Sequence, residues 1–281
     1  MSEKSFIESA NAFTQNSKND LNYIDSLISK KESFCFLRFS DGEIEIIRNY
    51  HLVIGDGFVT TSAGSVAFSY PPHDFKEFNP ARDADFRLEL LNSAQFISNK
   101  YFKGIRTGNN YGGEIDKQLM ISLNRDSLYN LTFTDLLINS NYLTFRKKLL
   151  PKILQERNVY LIANFRANLT NVPVTWHHIP IPDNFIPEYK SILDSTLTHL
   201  KIIEPGSLVL SSASSLSNLI GNKIWEFRQD ITFMDIGTAI HDLIGLGSST
   251  RTYQVLLQPN SFSGLIKKLN YIIRGDYRIK W

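Results

Sequence analysis

The sequence predicts an α/β protein built on a Rossmann-like, mostly parallel sheet flanked by helices. Three observations carry that expectation. From Asn158 onward, apolar runs of strand length alternate with helical stretches, which is the rhythm of β-α-β units. Two short apolar runs, Phe34 to Phe39 and Ile231 to Met234, break directly into polar turns that contain glycine, and turns beyond the carboxyl ends of parallel strands are where such sheets collect ligands. Finally, 281 residues of which 42% are hydrophobic suffice to close one large core.

Taken in order, Phe6 to Lys30 spaces Phe6, Phe13, Leu21, Ile24, Leu27 and Ile28 as one or two helices ending at a Lys-Lys-Glu turn. Phe34 to Phe39 reads as a strand, and Ile44, Ile46 and Ile47 as one face of a helix. His51 to Thr61 holds Gly55 and Gly57 inside a β-rich stretch, as a hairpin does. Tyr70 to Pro80, with three prolines, reads as loop; Asp83 to Ser98 is a helix, and Tyr101 to Arg106 a strand opening into Thr107-Gly108-Asn109-Asn110. Glu114 to Arg157 reads as long, interrupted helix. Strands then follow at Val159 to Ala163, Val174 to Ile181, Ser207 to Leu210 and Ile231 to Met234, with helices at Tyr189 to Leu200 and Leu216 to Phe227. Without a repeat, a low-complexity tract or a linker, 1–281 is expected to be one domain. Residues 1–33 form its N-terminal helical segment and 256–281 a C-terminal basic and aromatic helix.

Thirty basic residues against 28 acidic ones leave no field strong enough to hold nucleic acid without a dedicated site. The single cysteine, Cys35, lies in an apolar run and reads as a buried structural thiol. The polar start Met1-Ser2-Glu3-Lys4-Ser5 lacks a signal-peptide core, and no stretch approaches the ~20 apolar residues needed to span a bilayer, so a cytoplasmic location is expected. The tail from Lys267 to Trp281 interleaves basic and aromatic residues. It reads either as peripheral contact with the anionic inner face of the membrane or as a helix packed on the core with a solvated basic face.

Chemistry concentrates at the two strand-to-turn junctions. In Arg38-Phe39-Ser40-Asp41-Gly42-Glu43, a glycine between two carboxylates lets both face one cation of the kind that prefers oxygen ligands, Mg²⁺ or Mn²⁺. The alternative is a helix start, with Asp41 as cap and Glu43 in the first turn. In Asp235-Ile236-Gly237-Thr238-Ala239-Ile240-His241-Asp242, Gly237 permits close backbone approach to a ligand. There Asp235, His241 and Asp242 can bind hydroxyls or take a proton, or Thr238 can cap a helix whose acids are solvated. Asn164, Ser212 and Thr107 stand after three further strands, and Arg251 can form paired hydrogen bonds to a phosphate. His177 and His178 do not form a metal pair, since strand neighbours face opposite ways.

Together the two junctions resemble the GT-D type of bacterial glycosyltransferases. In that family a strand runs into Arg-Phe/Tyr-Gly-Asp-Gly-Glu, and a later strand ends in Asp-Ile/Val-Gly followed by another acid. The resemblance spans about residues 34 to 255, rests on those two motifs, and departs at Ser40, where the family usually has glycine. It implies a Rossmann-like fold, a nucleotide-sugar donor such as a UDP-sugar, and Mn²⁺ or Mg²⁺ on Asp41 and Glu43. The donor-binding set expected with it is Arg38, Ser40, Thr107, Asn164, Ser212, Gly237, His241 and Arg251, with Asp235 or Asp242 orienting the sugar or accepting the proton. The acceptor it implies is a glycan, glycoprotein or lipid-linked species of cell-surface synthesis. Two rivals use the same residues: a metal-dependent phosphotransferase or nucleotide hydrolase, and a noncatalytic sugar-nucleotide-binding module.

Overall fold

The computed structural model describes residues 13–55, 58–61, 64–67, 75–106, 113–156, 158–246, 252–257 and 261–274. Helix α1 (Ser17–Ser29) precedes strand β1 (Cys35–Phe39), which runs straight into α2 (Asp41–Ile47). A small antiparallel sheet follows, β2 (Leu52–Gly55), β3 (Phe58–Thr61), β4 (Gly64–Ala67) and β5 (Lys76–Phe78), in the order β4-β3-β2-β5. The chain then returns through α3 (Ala84–Gln95), β6 (Tyr101–Ile105), α4 (Gly113–Leu123) and β7 (Leu131–Phe133). Short helical turns over 139–155 lead to β8 (Val159–Asn164), β9 (Trp176–Ile181), α5 (Tyr189–Lys201), β10 (Leu208–Ser212), α6 (Leu216–Phe227) and β11 (Thr232–Asp235). The last helix is α7 (Phe262–Arg274).

The large sheet has seven strands in the order β7-β6-β1-β11-β10-β8-β9, every pair parallel. Strand alternation divides its side chains between two cores. Cys35, Leu37 and Phe39 join Phe86, Leu90, Tyr189, Leu193 and Trp225 on one face. Phe34 and Phe36 join Leu149, Met234, Tyr253 and Tyr271 on the other. Three layers result, as the alternating pattern predicts.

Order in the sheet is not order in the chain, and that places the site. After β1 the chain moves outward to β6 and β7 on one side, while β11 fills the other side of β1 in register, Cys35 beside Phe233 and Phe36 beside Met234. The crevice beyond the carboxyl ends of β1 and β11 is therefore a topological switch point, where open α/β sheets bind ligands.

Three expectations fail locally. The stretch read as loop contains β5, which the prolines around it concealed: Phe75-Lys76-Glu77-Phe78 alternates in burial but not in hydropathy, its inward pair being Lys76 and Phe78, so no strand pattern registers. The stretch read as long helix contains β7, three residues that extend the sheet edge beside Lys103, Gly104 and Ile105. Gly104 makes that pairing possible, since a Cβ there would lie 2.9 Å from the Phe133 carbonyl oxygen. Buried Asp20 of α1 accepts from the Thr132 hydroxyl at 2.7 Å and anchors the first helix to this edge. After Gly237 the chain forms successive turns rather than a helix, and the Thr238 hydroxyl bonds that of Tyr253 instead of capping.

Candidate active site

β1 ends at Phe39, and Ser40 turns the chain into α2 with extended backbone. Glu43 sits at the third helical position, where its Oε2 accepts from the Ser40 amide at 3.0 Å. That contact satisfies one of the amides a helix start leaves open. A serine at position 40 thus suits an ordinary backbone angle. The helix-start alternative is realised with Ser40, not Asp41, as the cap. Asp41 opens the helix and is exposed, whereas Glu43 is only 6% exposed. Burial raises the Glu43 carboxyl above its usual range, Asp41 adding to the rise, while Lys76 and Arg38 oppose it.

Lys76, from β5 of the small sheet, lies beside this pair. It too is 6% exposed, and its Nζ donates to the Ser214 hydroxyl at 2.8 Å. A Cβ on Gly42 would lie 3.5 Å from that nitrogen, an ordinary contact, which puts the ammonium next to the residue between the two acids. Burial lowers the Lys76 pKa, and the carboxylates of Glu43 and Asp41 pull it back up.

From the neighbouring strand, Asp235 ends β11 and accepts from the Gly237 amide at 2.9 Å. Gly237 has φ of +47°, and a Cβ there would fall 1.7 Å from Arg38 Nη1, so both the turn and the arginine demand glycine. Arg38 donates through Nε to the Thr134 carbonyl at 2.7 Å. Asn218 of α6 donates to the Arg38 carbonyl at 3.0 Å, while its own Oδ1 is buried without a partner among the described residues. Asp235 is 5% exposed, and burial pushes its carboxyl up to about 7. The Arg38 charge and the Gly237 amide hold it down, and Glu43 pushes it up, so the two acidic junctions of the sequence sense each other.

The other expected residues divide. Ser212 pairs with His241 Nε2 at 2.8 Å, joining β10 to the turns after β11. Asn164 is committed to Asp183 at 2.8 Å and to the Arg166 amide, and Arg166 clamps Asp183 with both terminal nitrogens. Asp242 is exposed and paired with Arg146 at 3.0 Å, so of the two acids considered as proton acceptors it is Asp235 that stands beside Arg38 and Glu43. Thr107 and Arg251 lie outside the described residues. No cluster of three or more His, Cys, Asp or Glu able to hold a metal ion occurs among the described residues. A cavity of about 450 Å³ lined by Arg82, Asp85, Phe86, Ile186 and Lys190 is separate: none of Asp41, Glu43, Asp235 and Asp242 lines it.

Lys76, Ser214 and Asn218 were not among the expected site residues. One signal for Lys76 exists: in a strand whose Phe78 points inward, the residue two before it must too, and a lysine at an inward position calls for a partner.

No family model matches the chain, and no curated protein does. Among solved structures, the chain is similar to one described as the highly conserved domain of unknown function 1792 with a distinct glycosyltransferase fold. The two share 12% identity over 78% of this chain and 77% of that one, with a TM-score of 0.49. It is also similar to one described as a new glycosyltransferase, of the same domain, from Streptococcus sanguinis, at 14% identity over 80% of each chain and a TM-score of 0.46.

Proposed function

We propose that the chain is a glycosyltransferase that moves a sugar from a nucleotide diphosphate donor, a UDP-sugar, to a glycan, glycoprotein or lipid-linked acceptor on the cytoplasmic side of the membrane. The observation that supports this reading best is the meeting of Asp41-Gly42-Glu43 and Asp235 at the carboxyl ends of adjacent strands, with Arg38 and Lys76 among them. Two positive groups suit a diphosphate, and a carboxylate that titrates near neutrality suits the acceptance of a proton from an incoming hydroxyl.

The oxygen donors of Asp41 and Glu43 are of the type that Mn²⁺ or Mg²⁺ takes. Exposed Asp41 is open to such an ion, and Glu43 has one oxygen engaged by the Ser40 amide. Two carboxylates fit a cation that completes its shell with phosphate oxygens and water. Held there, the ion would supply charge neutralisation on the departing diphosphate. In this reading Asp235 accepts the acceptor's proton, Arg38 supports the phosphates and holds Asp235 in place, and Ser212 with His241 meets the donor's polar groups.

A second version of the mechanism is favoured by Lys76. Its buried ammonium lies near enough to both acids to feel their charge, so the chain carries its own positive charge beside the place where the leaving diphosphate would lie. The versions separate cleanly in a donor panel screened by thermal shift with and without Mn²⁺, followed by product analysis. Donor binding and transfer that need Mn²⁺ and vanish in Asp41→Ala support the ion; transfer that persists in chelator and vanishes in Lys76→Met supports the lysine. Free phosphate or free sugar without acceptor transfer would replace both with a hydrolase.

A further inference from the structure

Of the described residues other than glycine that have positive φ, Ser214 alone lies within two residues of the carboxyl end of a strand in the large sheet. Its φ of +51°, in the turn between β10 and α6, is left-handed, a conformation that residues with a Cβ seldom take unless their surroundings hold them there. Here they do. The Ser217 amide donates to the Ser214 carbonyl at 2.9 Å. The fully buried Ser217 hydroxyl accepts from the Ala213 amide at 3.2 Å and pairs with the Ser211 hydroxyl at 2.8 Å, tying the turn back to β10. Ser211 stands in register with Asp235, so the strained turn is fixed beside the acid that ends β11. Strain kept at such a place points to a function.

In that conformation the Ser214 hydroxyl accepts from Lys76 Nζ at 2.8 Å. An ammonium has three donors and no acceptor, so the serine can only receive there, and its own hydrogen points elsewhere. No other described residue takes it. Ser214 is exposed, whereas Lys76 is 6% exposed. A buried positive charge and an open hydroxyl thus form a two-link chain that ends at the crevice. A hydroxyl that accepts from a cation becomes a stronger donor in its turn.

We infer that Ser214 is a ligand-binding residue, its hydroxyl donating to a phosphate oxygen of the nucleoside diphosphate and carrying the Lys76 charge to it. The inference rests on the donor reading of the crevice and goes beyond it in naming an atom that touches the phosphate. Position agrees with it: the lysine that meets Ser214 also stands next to Gly42, between the two acids, and Asp235 lies one strand away. Chemistry agrees too. A phosphate oxygen accepts from a hydroxyl without any proton changing hands, whereas a cationic group would be repelled by the lysine behind it and an apolar one would leave the hydroxyl unmet.

The full-length protein would be titrated with UDP in the presence of Mn²⁺ by calorimetry. Ser214→Gly is the informative variant, because glycine takes the left-handed backbone without strain and the substitution removes only the hydroxymethyl group; its melting temperature should not fall. It should weaken UDP binding about 10- to 100-fold, the range for a hydrogen bond to a charged group. Ser214→Ala, which keeps the strain, should bind UDP as poorly; a defect confined to one of the two variants would implicate the turn instead of the hydroxyl and overturn the inference. In the Lys76→Met background Ser214→Gly should still weaken binding a few-fold, because the hydroxyl remains a donor but is no longer polarised. A loss that disappears in that background makes Ser214 a mere prop for the lysine, and one that is undiminished there leaves the lysine no part in it; either overturns the inference. UDP binding by Ser214→Gly that matches wild type overturns it as well, and leaves the donor reading standing. Wild-type protein that does not bind UDP overturns the inference together with that reading.

Discussion

Two lysines are buried among the described residues, and they live in opposite surroundings. Lys103 of β6 is 1% exposed and pairs across the sheet with Leu37 of β1. Its Nζ donates to the Ala94 carbonyl and to Asn124 Oδ1, both at 2.6 Å. Burial draws its pKa down to about 7, with Arg125 adding to the fall, while two neutral oxygens at short range favour keeping the proton. Lys76 of β5 has a single hydrogen bond, to Ser214, and looks onto two carboxylates at the switch point of the sheet. One lysine commits two of its three hydrogens to a backbone carbonyl and a side-chain amide and joins α3, β6 and the turn after α4. The other has donor capacity left over, beside the acids at the carboxyl end of β1. A lysine ammonium has three hydrogens to place, so the unspent ones indicate where a ligand belongs.

That contrast makes its sharpest prediction for Lys76→Met. Replacing a buried charge by an apolar side chain of similar volume is often neutral or stabilising, so the melting temperature should hold or rise. If the ammonium serves the diphosphate, transfer should nevertheless fall by about 100- to 1000-fold, the range for removing one group that stabilises developing charge. A variant that melts early and turns over normally would show that Lys76 is a structural lysine like Lys103.

Lys103→Ala should show the mirror image. Two buried acceptors lose their donor, each at about 1–3 kcal/mol, and a cavity adds to the loss. A destabilisation of roughly 3–5 kcal/mol, on the order of a 10 °C fall in melting temperature, is expected. Turnover measured well below the transition should stay within a few-fold of wild type. A folded Lys103→Ala protein that has lost activity would erase the distinction between the two sites.

The sequence carried the sheet better than it carried the site. The strands β1, β6, β8, β10 and β11 and the helices Tyr189–Lys201 and Leu216–Phe227 stand within a residue or two of where apolar spacing puts them, whereas the helix read to Ser98 ends at Gln95 and the one read to Arg157 breaks at Leu123. What escaped were β5 and β7, three residues each, too short for any periodicity to declare. At the site, the two acidic junctions were legible because each joins a strand to a glycine turn. Their adjacency was not, because it depends on the order of strands in the sheet rather than along the chain. Lys76 was hidden for the same reason: a separate antiparallel sheet delivers it. Asn164 and Asp242 looked like site residues in the sequence, yet each is engaged elsewhere, by Asp183 and by Arg146. Polar residues after strands share one pattern whether they face a ligand or a neighbour.

The smallest expected effect concerns the other side of the crevice, and it tests whether the two acidic junctions act together. With its pKa raised to about 7, Asp235 is largely protonated in the folded chain at pH 5 and ionised at pH 8. If it accepts the proton of the acceptor hydroxyl, kcat/KM should climb as pH rises toward 7 and level off above it. Stability should run the opposite way. Because the folded pKa lies above the unfolded value of 3.8, the folded state gains protons relative to the unfolded one between those limits, and stability is lost as pH rises from about 4 to about 7. Asp235→Asn should therefore abolish the rate profile and raise the melting temperature at pH 8 more than at pH 5, provided the bond from the Gly237 amide is kept by the new amide oxygen. Glu43→Gln removes a charge that pushes Asp235 upward, so it should shift the rate inflection to lower pH. An inflection unmoved by Glu43→Gln would mean that the junctions are neighbours in space but independent in charge, and Asp235 would then answer to Arg38 and burial alone.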